Sequence, residues 1–242
     1  EIVQGKSNTD GITDIQNSMA DIEHHMLHFL DNHDEQRLAS PEFAGSPEKG
    51  KPLMVVSATI STSPTMIYFG QEVGEAGNEN GGFGTHSRTS IFDYVGVPNH
   101  QRWMNGGKFD GGQLSPSEKD LRDFYKRLLN FTISSSALMG KYQEIHGLNR
   151  YSTEGYYPEV YSYVRWSDTQ KLIVIANFSA VHTSHFDLKI PANVIAAWKL
   201  KDGVYPIKDQ LYGKNSSQLQ VVNGEGKVQI SIAPLESFIY GL

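Results

Sequence analysis

Cysteine is absent from this 242-residue sequence, which excludes disulfides, thiol nucleophiles and thiolate metal sites. The absence does not fix the cellular compartment, because exported bacterial enzymes can lack cysteine. The 21 basic residues are scattered rather than clustered, which argues against nucleic-acid binding. No run of about 18 apolar residues occurs, so no membrane span is predicted. The first residues, Glu1 to Gln4, include no initiator Met or signal-peptide pattern and resemble an internal start.

Residues 1–140 alternate between helix-like and strand-like segments. Three-and-four spacing of apolar residues predicts helices, and short β-branched or aromatic runs predict strands. In chain order the segments are a helix over 10–22, a strand over 26–30, a helix over 51–62, a strand over 65–69 and a helix over 115–134. Such alternation is typical of parallel strands with covering helices. Two strands make too small a sheet for this, so the region resembles part of a larger α/β domain.

The helix over 115–134 has the clearest start signal in the chain. Ser115 can cap the helix, Pro116 fits its first position, and Glu118 can complete a capping box. Apolar residues follow at helical spacing from Leu121 to Leu129. These features predict an amphipathic helix that begins at residue 115 or 116.

After Gly140 the pattern changes to short strands. Strand-like runs lie at 160–166, 171–178, 185–190, 218–222, 227–232 and 237–240. Turn dipeptides such as Asp202-Gly203 and Asn223-Gly224 separate them. Several short strands with turns between them predict an antiparallel β-sandwich. The predicted fold is therefore α/β plus all-β, with one domain at 1–140 and another at 141–242.

The segment Phe29-Leu30-Asp31-Asn32-His33-Asp34 joins an apolar strand end to four polar residues. In a (β/α)8 barrel the carboxyl ends of the strands form the active-site floor, so a carboxylate and an imidazole there would face substrate. The alternative is an ordinary turn, in which Asn32 and Asp34 satisfy local backbone groups. Spacing alone favours the turn.

This segment resembles the fourth signature region of the α-amylase family, glycoside hydrolase family 13, whose Asn-His-Asp triplet follows the seventh barrel strand. Pro64–Gly74 resembles the family's eighth strand, which typically ends in Tyr, an aromatic residue, Gly, a polar residue, Glu and a nearby Gly. The spacing allows one intervening helix, and the helix over 115–134 lies where the eighth barrel helix should be. The resemblance implies the C-terminal portion of a (β/α)8 TIM barrel, followed by an antiparallel β-sandwich domain.

By this resemblance Asp34 would be the carboxylate that stabilises the transition state. Glycoside cleavage develops oxocarbenium character, and hydrogen bonds to the sugar hydroxyls strengthen as it forms. His33 would bind hydroxyls of the same sugar as a substrate-binding residue. Asn32, also in the motif, would mainly support the turn.

The long loop after the eighth strand supplies further candidates. The resemblance implies that Arg88 and Trp103 help to line the substrate groove, with aromatic residues stacking on sugars. The alternative is that Trp103 and Phe92 only pin the loop to the barrel. Other candidates in the loop are Asp93, Tyr94, His100 and Arg102.

The nucleophile and the general acid of a retaining glycosidase are not found in this chain. In the family they follow the fourth and fifth strands, upstream of Asp34. The acidic residues before Asp34 are Glu1, Asp10, Asp14, Asp21, Glu23 and Asp31. None outside the motif follows a strand, so the chain alone is expected to be inactive. The family's calcium ligands would also lie largely upstream, so calcium is assigned to the complete enzyme and no cofactor to this chain.

A metal site is not predicted either. His24 and His28 are four residues apart, a spacing that binds metals on a helix. Here the pair adjoins a strand, and the sequence fixes no third ligand.

Three functions remain open at this point. The first is a glycoside hydrolase that acts on α-glucosidic bonds of starch or maltooligosaccharides by a retaining mechanism. The second is a non-catalytic amylase-like subunit or carbohydrate-binding module, against which His33 and Asp34 argue. The third is an unrelated α+β protein with a chance Asn-His-Asp triplet. The expected partner is an α-glucan or maltooligosaccharide, with self-association through the strand edge that an incomplete barrel exposes.

Overall fold

The computed structural model describes residues 1–77, 88–89 and 96–242. They form two compact units that interleave along the chain. We call them the β unit (Glu1–Met26, Thr59–Ser63 and Asn130–Leu242) and the βα unit (Leu27–Ala58 and Pro64–Leu129). A single boundary near residue 140 does not reproduce this interleaving, because Glu1–Met26 groups with the C-terminal strands. The assignment of domains to 1–140 and 141–242 stays a prediction.

Helices and strands are distributed over both units. In the described ranges the helices are α1 (Asp10–Ser18), α2 (Gly50–Thr59), α3 (Pro98–Met104), α4 (Pro116–Ser134), α5 (His146–Ser152) and α6 (Ala192–Ala197). The strands there are β1 (His28–Phe29), β2 (Thr65–Met66), β3 (Lys141–Glu144), β4 (Val160–Trp166), β5 (Lys171–Asn177), β6 (Ser184–Ile190), β7 (Gly203–Asp209), β8 (Ser216–Val222), β9 (Glu225–Ile232) and β10 (Ser237–Gly241). Within the described residues, we find no helix with the length and apolar character that a membrane span requires.

The βα unit contains a pair of parallel strands. His28 of β1 lies opposite Thr65 of β2, and Phe29 lies opposite Met66. α2 lies between the two strands in the sequence, so the order strand, helix, strand predicted for this region is confirmed. Parallel pairing requires such a crossover connection. The assignment of β1 and β2 as the seventh and eighth strands of a barrel stays a prediction.

α4 begins with the capping box that the sequence predicts. The backbone N–H of Glu118 donates to Ser115 Oγ (3.3 Å), and the backbone N–H of Ser115 donates to Glu118 Oε2 (2.7 Å). Reciprocal bonds of this kind satisfy donors that a helix start leaves unpaired. Leu121 and Leu128 are among the residues that the helix buries.

The β unit is built on one eight-stranded sheet, in the order β3-β4-β5-β10-β7-β8-β9-β6. Every neighbouring pair of strands is antiparallel. Buried and exposed residues alternate along β6 and β9, so one face of each strand packs inward. β4 and β5 are buried on both faces for most of their length. The antiparallel β character predicted for this region is confirmed.

One hydrophobic core serves the whole sheet. It joins Val160 and Ile173, from β4 and β5, to Leu188 and Val228, from β6 and β9 near the other end of the strand order. Strands so far apart in the order can share a core only if the sheet curls. Hydrogen bonds thus join the strands of the predicted sandwich into one continuous curled sheet.

Six of these eight strands follow runs that the sequence predicts. β3 and β7 are not predicted, because β3 has a single aromatic residue among polar ones and β7 is interrupted by Pro206. Proline cannot donate to a strand ladder, so it weakens a strand prediction. α3, α5 and α6 are also not predicted, since each has at most seven residues and too few turns for a clear period.

Glu1–Met26 attaches to the β unit through polar contacts. The backbone N–H and the hydroxyl of Thr9 both donate to the Pro158 carbonyl, at 3.1 and 3.0 Å. Asp10 Oδ1 lies 2.8 Å from Nε2 of the buried His146. These partners are more than 130 positions away in the sequence, which is why no local pattern revealed them.

The capping box of α4 gives a first testable prediction. Ser115→Ala removes the hydroxyl that accepts from Glu118 N–H and should lower the free energy of unfolding by about 1 kcal/mol. Urea denaturation followed by far-ultraviolet circular dichroism measures the change. Ser231→Ala is the matched control, because it makes the same chemical change at an exposed position of β9. Equal losses for both variants would contradict the capping role.

Candidate functional site

The predicted motif and the loop after β2 lie at the same edge of the parallel pair. Asp31 to Asp34 follow β1 closely, and Phe69 and Gly70 follow β2. The carboxyl ends of parallel strands meet at one edge, where α/β folds place their ligands. The strand order therefore brings these two segments together.

Asn32 forms the turn that carries the motif. Its Oδ1 accepts from the backbone N–H groups of Asp34 (2.8 Å) and Glu35 (2.7 Å). This is an Asx-type turn, in which the side chain replaces a backbone acceptor. This geometry agrees with the prediction that Asn32 mainly supports the turn. It is also the geometry expected if the segment is only an ordinary turn. It leaves the side chains of His33 and Asp34 free to project from the turn.

His33, Asp34 and Arg88 lie together on the surface of the βα unit. His33 Nε2 is 3.3 Å from Asp34 Oδ2, and an Arg88 guanidinium nitrogen is 3.8 Å from Asp34 Oδ1. The same nitrogen donates to the His33 carbonyl at 3.5 Å. The Asp34 side chain is 71% exposed, so this chain alone does not enclose it. An exposed carboxylate between an imidazole and a guanidinium can accept hydroxyl donors.

Arg37 is a structural residue of this edge that the sequence analysis did not identify. Its side chain is fully buried. Its Nε donates to Thr89 Oγ1 (2.7 Å), and a terminal nitrogen donates to the Phe69 carbonyl (2.9 Å). Its guanidinium also lies 4.3 Å from the centre of the Tyr68 ring. Arg37 therefore connects the segments that follow β1 and β2 with the loop at residue 89.

Asp31 balances the charge of Arg37. Its Oδ2 lies 3.5 Å from a guanidinium nitrogen, and its Oδ1 accepts from the Leu38 backbone N–H at 2.7 Å. Burial raises the pKa of Asp31, although the Arg37 charge lowers it. Burial likewise lowers the pKa of Arg37, against the raising effect of Asp31. The attraction between the two charges offsets the cost of removing each of them from water. The pair therefore acts as one structural unit.

The loop after β2 is held by a buried carboxylate. Glu75 Oε2 accepts from the backbone N–H groups of Asn99 (3.0 Å) and His100 (3.3 Å) at the start of α3. A carboxylate is favourable there because helix starts carry unpaired N–H groups and partial positive charge. The Asn99 amide in turn donates to the Val73 carbonyl at 3.0 Å. These bonds fix α3 to the end of β2.

Trp103 is packed within the βα unit. Its ring stacks on His100 with centroids 5.6 Å apart, contacts Phe109 at 5.8 Å, and lies 5.3 Å from the Arg122 guanidinium. These contacts favour the alternative in which Trp103 pins its loop. Its part in substrate binding stays a prediction.

Of the remaining loop candidates, one makes an ion pair with α4 and the rest lie outside the described residues. Arg102 makes an ion pair with Glu118, through Nε at 3.1 Å and through a terminal nitrogen. It therefore joins α3 to α4. Phe92, Asp93 and Tyr94 lie outside the described residues.

The Asp31–Arg37 pair gives the second prediction. Arg37→Met leaves the Asp31 carboxylate buried without its counter-charge and should lower the free energy of unfolding by about 3–5 kcal/mol. The double variant Asp31→Asn, Arg37→Met should lose less, because no charge remains buried. Chemical denaturation of the parent and the two variants measures both values.

The same variants have a predicted pH dependence. Without Arg37 the pKa of Asp31 rises further, so the folded state binds a proton that the unfolded state releases. The loss caused by Arg37→Met should therefore be smaller at about pH 5 than at about pH 8. A loss below about 1 kcal/mol at neutral pH would contradict the anchoring role of the pair.

Comparisons with known proteins rest on structure. No protein-family model and no characterised protein matches the chain by sequence. The noncanonic maltogenic α-amylase AmyB from Thermotoga neapolitana matches with a TM-score of 0.64 and 15% identity, over 100% of this chain and 47% of that one. A variant of AmyP in complex with maltotriose matches with a TM-score of 0.62 and 23% identity, over 97% of this chain and 44% of that one.

A glucanotransferase is structurally similar to this chain to about the same degree. The γ-CGTase from the alkalophilic Bacillus clarkii matches with a TM-score of 0.62 and 15% identity, over 100% of this chain and 30% of that one. The chain thus spans less than half the length of each of these three proteins. Likeness at such identities establishes the fold alone. That fold is the one found in the C-terminal part of α-amylase-family proteins, as the resemblance of the sequence motifs implies.

Proposed function

We propose that this chain is the C-terminal part of a glycoside hydrolase that cleaves α-glucosidic bonds of starch or maltooligosaccharides. The observation that carries the proposal is the exposed group of His33, Asp34 and Arg88 at the carboxyl ends of two parallel strands. This group occurs in a chain whose fold matches amylases over its whole length. A (β/α)8 barrel places its catalytic residues at this position.

The chemistry assigned to Asp34 follows from its exposure and charge. Cleavage of a glycosidic bond makes the sugar ring electron-poor, and its hydroxyls become stronger donors. A carboxylate that accepts from these hydroxyls binds the transition state more tightly than the substrate. Arg88 and His33 would orient the carboxylate, and the His33 ring would contact the same sugar.

The nucleophile and the general acid would come from the upstream part of the protein. A retaining mechanism needs two carboxyl groups roughly 5–5.5 Å apart at the scissile bond. In this chain Asp10 contacts His146 in the β unit, and Asp31 is buried against Arg37. Both carboxylates are thus engaged by partners within their own units.

The exposed surface around β1 supports a missing upstream part. β1 pairs with β2 on one side, and no other described strand pairs with it. Leu27 and Phe29 are 48% and 41% exposed. Apolar side chains beside an open strand edge normally have a covering partner. A preceding barrel strand would cover this edge in the complete enzyme, and self-association would cover it in the isolated chain.

Oligosaccharides are the proposed ligands. AmyP is described in complexes with maltotriose and with maltose, which supports an α-glucan as the substrate. Calcium is proposed for the complete enzyme only. No group of three His, Asp or Glu side chains among the described residues fits a metal ion, so no step of the mechanism is assigned to a metal here.

The third prediction tests activity directly. The 242-residue chain should not release reducing sugar from soluble starch, whereas a longer chain with the upstream barrel should. In that longer chain Asp34→Asn should lower kcat by about 100-fold or more, because it removes a charge that acts in the transition state. Asp168→Asn, at an exposed turn of the β unit, is the matched control and should keep full activity.

Two results would contradict the proposal. The first is clear turnover of starch by the 242-residue chain, because the missing carboxylates could not then be essential. The second is an unchanged kcat for Asp34→Asn in an active longer chain. A longer chain that binds maltotriose without hydrolysing it would instead support a non-catalytic amylase-like subunit.

A further inference from the structure

Arg88 contacts both a side chain and the backbone of the motif. One terminal guanidinium nitrogen lies 3.8 Å from Asp34 Oδ1 and donates to the His33 carbonyl at 3.5 Å. The Asp34 side chain is mostly exposed. An exposed ion pair of this kind contributes little by itself, because ordering a long side chain costs conformational entropy. Arg88 can therefore hold the Asp34 carboxylate in one orientation only if its own position is restrained.

The neighbouring residue, Thr89, supplies a restraint. Thr89 is fully buried, and its Oγ1 accepts from Nε of the buried Arg37 at 2.7 Å. A hydrogen bond from a charged donor is stronger than one between neutral groups. Because Thr89 follows Arg88 directly in the chain, this bond fixes the backbone from which the Arg88 side chain extends.

Arg37 is itself held by the ends of both parallel strands. One terminal nitrogen donates to the Phe69 carbonyl at 2.9 Å, and the other lies 3.5 Å from Asp31 Oδ2. The guanidinium has no exposed surface, so moving it would leave a buried charge unpaired. The hydroxyl of Thr89 therefore accepts from a donor whose place is set by the strands that carry the motif.

The hydroxyl of Thr89, rather than its shape, makes this connection. A valine would fill nearly the same space, but it would leave Nε of Arg37 without its acceptor. A serine would keep the acceptor and lose only a methyl group. The chain therefore offers a pair of substitutions that separates the hydrogen bond from the packing.

We propose that Thr89 is a positioning residue, whose hydrogen bond from Arg37 holds Arg88 against Asp34 and so keeps the carboxylate directed at substrate. Groups that contact substrate act best when a surrounding layer of hydrogen bonds locks them in place. Thr89 acts through Arg88 and not on the sugar. The consequence for catalysis rests on the proposed function, whereas the hold on Arg88 does not.

NMR spectroscopy of the 242-residue chain measures the hold on Arg88. The ¹⁵N heteronuclear NOE of the Arg88 Nε reports fast side-chain motion, and Arg88→Met identifies this signal by its loss. Thr89→Val should lower the NOE toward that of a freely rotating side chain. Thr89→Ser should keep it, because the serine hydroxyl still accepts from Arg37. If the valine variant does not fold, Thr89→Ala replaces it, because water can then reach the Arg37 Nε.

Kinetics of the longer chain with the upstream barrel measure the consequence for catalysis. Thr89→Val should lower kcat by roughly 10-fold to 100-fold with little change in KM, because a misplaced group loses transition-state stabilisation. Thr89→Ser should stay within about twofold of the parent. Thr183→Val makes the same chemical change as Thr89→Val at an exposed position of the β unit, and it should keep the parent kcat.

A double-mutant cycle separates positioning from a general structural effect. Arg88→Met should itself lower kcat, and adding Thr89→Val to it should cause no further loss, because both changes remove the same hold on Asp34. Effects that multiply would mean that Thr89 acts independently of Arg88, and they would overturn the inference. An Arg88 NOE that Thr89→Val leaves unchanged would overturn it as well.

These outcomes are distinguishable from failure of the proposed function. A lower Arg88 NOE in Thr89→Val, beside an inactive longer chain, would reject the proposed function and keep the hold of Thr89 on Arg88. An active longer chain that depends on Asp34 but keeps its kcat in Thr89→Val would do the reverse.

Discussion

A buried guanidinium is the constraint on which the βα unit depends. Arg37 has no exposed side-chain surface, so its charge and its N–H groups must be satisfied where they lie. Asp31 supplies the opposite charge, Phe69 a carbonyl and Thr89 a hydroxyl. Because these groups follow β1, follow β2 and lie in the next loop, one side chain fixes all three segments. The turn that presents Asp34 is built on this fixed edge.

The predictable elements are those whose signals are local. The capping box at Ser115 and the apolar runs of β4 and β5 indicate their elements without knowledge of any partner. β7 is not predicted, because Pro206 interrupts its strand pattern. It is a strand in the structure because it pairs with β8 and β10. Glu1–Met26 likewise joins the β unit through Thr9, whose partner Pro158 is far away in sequence. Long-range pairing of this kind leaves no periodic signal.

The candidate site was predictable only in part, for a related reason. His33 and Asp34 stand in a recognisable order after a strand, and the structure brings Arg88 to them. Arg37 has the sequence signature of any surface arginine, because burial is a property of the fold.

The proposed function assigns substrate contact to the edge of the βα unit where Asp34 lies. The central claim is that the Asp34 carboxylate contacts a sugar. A crystal structure of the longer chain with a bound maltooligosaccharide measures this most directly. The account predicts an Asp34 oxygen at a hydrogen-bonding distance of about 2.5–3.0 Å from a sugar hydroxyl. A bound sugar at the barrel edge that makes no contact with Asp34 would contradict it.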